Sequence, residues 1–139
     1  MLLLLRAGSH NAGTWGLPGG NRDATDPDLL ATALREAGEE MGGTPEHSVR
    51  AELLTVRGKR GQKHYTVFVA AVPPAARAAF TPALNEEHSA WRWAPLAEAV
   101  GRGDLHPVVD RVLNRQPHQA TVLGIAAAGR SGGGSGGGG

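Results

Sequence analysis

The segment GGNRDATDPDLLATALREAGEEMGG, Gly19 to Gly43, decides the fold. Leu30, Ala33, Leu34, Ala37 and Met41 recur at three- and four-residue spacing, which predicts a helix over residues 27–41 with one apolar stripe. Asp26 is a candidate cap, Pro27 suits the first turn, and Gly42 and Gly43 supply the stop. Near the end of this helix, REAGEE gathers Glu36, Glu39 and Glu40 within five residues. At about 100° per residue these carboxylates leave one face, beside the apolar stripe.

Local rules oppose that arrangement. Like charges four residues apart disfavour an isolated helix by about 0.2–0.5 kcal/mol per pair. The macrodipole disfavours anions near the C-terminus. Gly38, in the middle, costs about 1 kcal/mol relative to alanine. Such conflicts concentrate at functional sites. A hard cation would resolve this one, because Mg²⁺ and Mn²⁺ prefer oxygen ligands. Arg35 is spaced to pair with Glu39 and to orient a carboxylate. A solvated acidic helix face would carry the same charges.

Working outward, Leu2–Arg6 (LLLLR) reads as a buried strand, and AGSHNAG and TWGLPGG as loops with sharp turns. Val49–Arg57 and His64–Val72 read as two strands of a hairpin closed by GKRGQK. A loop with one short helical turn follows, then a strand in SAWRWAPL and a brief helix in PLAEAV. Val108, Val109, Val112 and Leu113 mark a second main helix, about residues 107–115, ending before Pro117. Ala120–Ala128 (ATVLGIAAA) reads as a last strand. No internal repeat is visible. Strands mixed with two main helices predict an α/β or α+β sandwich.

The chain has 139 residues, a length that fits one domain. Its 40% hydrophobic and 19% charged content supports a packed core. A net charge of +1 neither demands nor excludes an anionic partner. The absence of cysteine excludes disulfides, zinc-thiolate sites and a thiol nucleophile. The opening apolar run is too short for a signal peptide or membrane span, so a cytoplasmic protein is expected, with no membrane partner. From Gly129 the sequence GRSGGGSGGGG predicts a flexible tail over 129–139, leaving one domain over 1–128.

With Gly19-Gly20 upstream and Gly42 behind, the Arg35-Glu36…Glu39-Glu40 core resembles the box of the Nudix hydrolase family, G-x5-E-x7-R-E-U-x-E-E-x-G-U with U aliphatic. Five residues separate Gly20 from Asp26, and eight separate Asp26 from Arg35. Asp26 thus stands in place of the first glutamate, with one extra residue before Arg35; a helix cap is its other reading. Ala37 and Gly43 are small where the pattern is aliphatic. GTWGLPGG before the box and EEHSAWRWAPLAEA after it also resemble the family, and the likeness covers about residues 1–113.

The resemblance implies a Nudix-like α/β/α sandwich with a mixed sheet. It implies Mg²⁺- or Mn²⁺-dependent hydrolysis of a nucleoside diphosphate linked to another moiety, oxidised nucleoside triphosphates being one substrate class within it. Glu36 and Glu40 would be metal ligands, Glu39 a further ligand or the base, and the Gly19 carbonyl an added ligand. Arg35 would hold a glutamate in place. A second acidic loop, Asn85–His88, offers Glu86 or Glu87 to orient or deprotonate water, a solvated turn being their other reading, and His88 as a phosphate contact or a surface histidine. Homodimers are frequent in the family, and no nucleic-acid partner is implied. A non-catalytic nucleotide-binding or sensing module on the same fold is the alternative.

Substrate contacts are less defined. Arg6, Arg57, Lys59, Arg60 and Lys63 could reach phosphates, or form a solvated turn. Trp15, Tyr65, Phe68, Trp91 and Trp93 could stack on a base, or fill the core. In the Nudix fold a strand normally precedes the one matching Leu2–Leu5. Residues 120–128 would fill that slot in a permuted or rearranged chain; a natural truncated start with a disordered tail is the other reading.

Overall fold

The computed structural model describes residues 1–135. In chain order the elements are β1 (Leu2–Arg6), β2 (Trp15–Gly16), α1 (Leu29–Met41), β3 (Ser48–Arg57), β4 (Lys63–Ala71), α2 (Pro74–Ala79), β5 (His88–Trp93), α3 (Leu96–Ala99), α4 (Pro107–Asn114) and α5 (His118–Ser135). β1 lies between β2 and β5 in one sheet, and β3 and β4 pair as a hairpin. These ladders are antiparallel, and a parallel bridge joins Trp15 to Leu105.

Side chains alternate across a strand, so β1 serves two cores. Leu3 joins Leu53, Val67, Val109, Val112 and Leu113 on the face covered by α4. Leu4 joins Ala37 and Met41 on the face covered by α1. Helices on opposite faces of the strands make the expected α/β sandwich. The stripe of α4 is buried as its periodicity predicts, at Val108, Val109, Val112 and Leu113. His106 caps α4, its Nδ1 accepting from the Val108 N–H at 3.1 Å. Burial, with Arg6 and Arg57 nearby, lowers the His106 pKa to about 4, which keeps that nitrogen an acceptor at neutral pH.

Two expectations change at the ends of helices. The cap of α1 is Asp28, whose carboxylate accepts from the Ala31 N–H at 2.8 Å, so the helix starts at Leu29. Asp26 lies two residues upstream and is engaged elsewhere. Residues 120–128, expected as a strand, lie within helix α5. Alanine is the best helix former, and Ala126, Ala127 and Ala128 outweigh the short β-branched pattern before them. Val122 packs against the main core, and the His118 ring donates to the Leu54 carbonyl at 2.8 Å. β1 already has a neighbour on each side, so α5 fills no strand slot. The expected tail from Gly129 is helical as far as Ser135, and residues 136–139 lie outside the described ones. Among the described residues no helix is long and apolar enough to cross a membrane.

Candidate active site

The site begins where α1 ends. The last carbonyls of a helix lack intrahelical partners. Here they accept from the loop before β5. Ala83 N–H donates to the Met41 carbonyl at 2.7 Å, and Asn85 N–H to the Glu40 carbonyl at 3.3 Å. Gly42 permits this approach: it sits at φ 73°, and a Cβ there would come within 2.9 Å of the Ala83 Cβ. The docked loop brings Glu87 and His88 to Glu40. One ligand atom of each lies within 4.8 Å of the others.

Glu40 is 2% exposed, and its Oε2 accepts from the Gly19 N–H at 2.9 Å. Burial raises its pKa to about 8, against the Gly19 bond and with the help of Glu87 and Glu36. Among the described residues Glu40 joins no ion pair. The glycine pair before the helix is shaped around these carboxylates. A Cβ on Gly20 would meet the Glu36 carboxyl carbon at 2.5 Å, and one on Gly19 would meet the Tyr65 hydroxyl at 2.5 Å.

Glu36 and Glu39 face a different partner. Arg35 donates to Glu36 at 3.0 Å and to Glu39 at 3.3 Å. The same guanidinium grips Asp26 and also donates to the Asn21 carbonyl at 3.1 Å. The three helix glutamates are therefore not equivalent: Arg35 holds two, and Glu40 is left in the interior, within reach of the exposed Glu87. Glu86 is exposed.

His88 is 4% exposed, and neither ring nitrogen has a hydrogen-bond partner. Burial and the charge of Arg6 lower its pKa, against Glu87. Such a buried, unpartnered pair of polar atoms is rare in folded proteins.

The basic residues divide. Arg6 pairs in register with His88, and with Arg57 it acts on both Tyr65 and His106. Arg57 keeps a buried Nε without a partner. Lys59, Arg60 and Lys63 are exposed at the hairpin turn. Of the aromatic candidates, Trp15 packs on the main core, and Trp91 is exposed on β5. Tyr65, Phe68 and Trp93 line a cavity of about 710 Å³ that also reaches Gly19 and Gly20. Burial, with Glu40 and Glu36 close by, raises the Tyr65 hydroxyl pKa. From the sequence, Tyr65 was a stacking partner for a base or a core residue. The alternation of β4, which turns Tyr65 inward with Val67 and Val69, was the signal for more.

Residues 1–116 match the NUDIX domain family. The chain belongs to the Nudix family. Over 100 residues it is 37% identical to a Mycobacterium tuberculosis protein named "Putative 8-oxo-dGTP diphosphatase 3", covering 71% of this chain and 45% of that protein. Over 99 residues it is 39% identical to the Nudix hydrolase NudL of Klebsiella pneumoniae, covering 70% of this chain and 50% of that one. The chain thus spans about half the length of the curated relatives it matches. Its fold is similar to the Nudix hydrolase RenU from M. smegmatis, with a TM-score of 0.64 and 28% identity over 91% of this chain and 74% of that chain. A C. elegans Ap4A hydrolase shares the fold at a TM-score of 0.60 and 20% identity, over 94% of this chain and 85% of that chain. In this Nudix domain the box residues supply both a salt-bridged brace, Arg35 with its acids, and a buried carboxylate, Glu40.

Proposed function

We propose that this Nudix domain hydrolyses a phosphoanhydride bond in a nucleoside diphosphate linked to another moiety, with a divalent cation, Mg²⁺ or Mn²⁺, at Glu40. One observation carries the reading. Glu40 is a buried carboxylate that faces Glu87 and Glu36 and has no ion-pair partner among the described residues. Burial disfavours the ionised form of this carboxyl, and a bound cation would supply the charge that stabilises it. The oxygen donors fit Mg²⁺, which binds through a few carboxylates and substrate phosphates. Glu40 and Glu36 are the proposed ligands, with Glu87 beside them. Glu39 is 58% exposed against Arg35, which favours an outer role for it. The Gly19 carbonyl remains a candidate ligand, next to the N–H that holds Glu40.

A bound cation would neutralise diphosphate oxygens and acidify an attacking water. The remaining work falls to the chain's own residues. Glu87 is the proposed base, favoured over Glu86 because it sits beside Glu40. Arg35 braces Glu36 and Glu39 so that the acidic face keeps its shape. Arg6 and Arg57 are placed to receive phosphate oxygens, and the partnerless Nε of Arg57 offers a donor. The cavity beside Gly19 and Gly20 suits the nucleoside, with Tyr65, Phe68 and Trp93 as its aromatic wall.

The test is release of phosphate or pyrophosphate from nucleoside triphosphates, nucleotide sugars and dinucleotides, with Mg²⁺ and with EDTA. Oxidised dGTP belongs in the panel because of the name of the M. tuberculosis relative. Turnover that EDTA abolishes is expected. Cation and nucleotide binding without turnover of any member would instead favour the non-catalytic sensing module.

A further inference from the structure

We infer that His88 is a nitrogen ligand to a cation held with Glu40 and Glu87, and that this centre prefers a borderline transition-metal dication to Mg²⁺. The inference rests on the reading of this centre as a cation site, but not on its hydrolytic activity.

Three features converge on it. His88 is 96% removed from solvent by its 4% exposure, yet both ring nitrogens lack a partner. An unpartnered polar group in the interior carries a desolvation cost, which a bond from one nitrogen to a cation would offset. A ring nitrogen and one oxygen from each of Glu40 and Glu87 lie within 4.8 Å of one another, near the span across a cation with bonds of about 2 Å. The ring is held from outside the cluster. His88 opens β5, opposite Arg6 of β1, and its N–H meets the Asn85 carbonyl at 3.4 Å. The loop bonds to the end of α1 set the same geometry from the other side.

The donor set gives the preference. Mg²⁺ favours oxygen ligands and retains its waters, whereas imidazole suits Co²⁺, Zn²⁺ and their neighbours. One nitrogen with two carboxylates therefore shifts selectivity away from Mg²⁺. Arg6, whose charge acts on His88, stands on the β1 side and its Nε is turned to the His10 carbonyl at 3.1 Å. The acidic helix face supplies the opposite charge.

Two measurements on the metal-free protein, without substrate, test this. In the wild type, one ring ¹⁵N resonance of His88 should show the large shift of a direct nitrogen–metal bond on titration with Zn²⁺, and only the small shift of a nearby charge with Mg²⁺. Calorimetry should show Co²⁺ binding at least about tenfold tighter than Mg²⁺, and His88→Gln should remove most of that margin while leaving Mg²⁺ affinity within about threefold. Stationary His88 resonances under saturating Zn²⁺ would overturn the inference, as would an unchanged Co²⁺ margin in folded H88Q. The wild-type resonance readout does not depend on whether the variant folds. Mg²⁺-dependent turnover with no His88 shift would sink this inference and leave the proposed function standing; a His88 shift with no turnover would do the reverse.

Discussion

The Arg35 guanidinium meets the Asp26 carboxylate in two parallel bonds, Nε to Oδ1 and Nη2 to Oδ2, each 2.9 Å. Asp26 is 6% exposed and receives two more donors, the Asp23 N–H at 2.8 Å and the Thr32 hydroxyl at 3.0 Å. This anchor ties the loop before α1 to the helix and aims the free edge of the guanidinium at Glu36 and Glu39. The self-repulsion anticipated for the three glutamates is therefore relieved at two of them by a cation already in the chain.

Asp26→Asn should weaken the anchor and lower thermal stability more than Glu39→Gln does. An exposed i,i+4 pair such as Arg35–Glu39 contributes only about 0.3–0.5 kcal/mol. The Arg35 bond holds the Asp26 carboxyl well below the usual carboxylate range. Its stabilisation is present above the ordinary aspartate pKa and fades as pH falls below it. Melting curves from neutral to acidic pH should show D26N losing less stability than the wild type across that acid limb. Equal acid slopes would contradict the assignment.

Glu40 has the opposite sign. Its folded pKa, about 8, lies above the ordinary glutamate value, so the folded state holds the extra proton. Stability from this group is full below the ordinary value and is lost as pH rises towards 8. In metal-free buffer, Glu40→Gln should flatten that decline and stabilise the protein at pH 8, on the order of 1 kcal/mol, a common size for single substitutions. Hydrolysis should fall at least about a hundredfold, as for loss of a charge-stabilising group in an active site. A stable E40Q with undiminished turnover would refute the cation role.

Gly20→Ala should act on the Glu36 carboxylate alone. The added Cβ would displace the end of a flexible side chain, so the melting temperature should stay nearly constant. Metal affinity and turnover should drop about tenfold, the scale of disturbed ligand orientation. Gly42→Ala should differ. There φ is 73° and the added Cβ meets Ala83, so strain of about 1–3 kcal/mol and an undocked Glu87 loop should reduce stability and turnover together. Calorimetric metal titration beside melting of both variants separates the two cases.

Arg57→Ala should raise KM by about tenfold, as expected for loss of one charge-assisted bond to phosphate. Lys59→Ala, two residues on at the exposed turn, should leave KM unchanged. Steady-state kinetics on any substrate found in the panel would check the contrast, and equal effects at both positions would argue for diffuse attraction.

Much of the fold was legible because its signals are local. The spacing of Leu30, Leu34, Ala37 and Met41 marked α1, GKRGQK marked the hairpin, and four apolar residues marked α4. The box was legible for the same reason: Arg35, Glu36, Glu39 and Glu40 lie on two turns of one helix. The cap was misplaced by two residues because Asp26 and Asp28 offer the same chemistry to a helix start. Ala120–Ala128 was misread because short apolar runs fit either a strand or a helix until neighbours choose.

The sequence by itself determined the family, the helix that bears the glutamates and the residue types available for a cation. Tertiary structure decided which of those residues meet. Glu40 and Glu87 are distant in the chain, and their approach depends on helix-end carbonyls of α1 accepting N–H groups from the loop before β5. The same docking buries His88 and leaves one of its unpartnered nitrogens within 4.8 Å of Glu40 and Glu87 oxygens. Periodicity reports which face of an element is apolar, but long-range hydrogen bonds and burial set the charge and partners of each side chain.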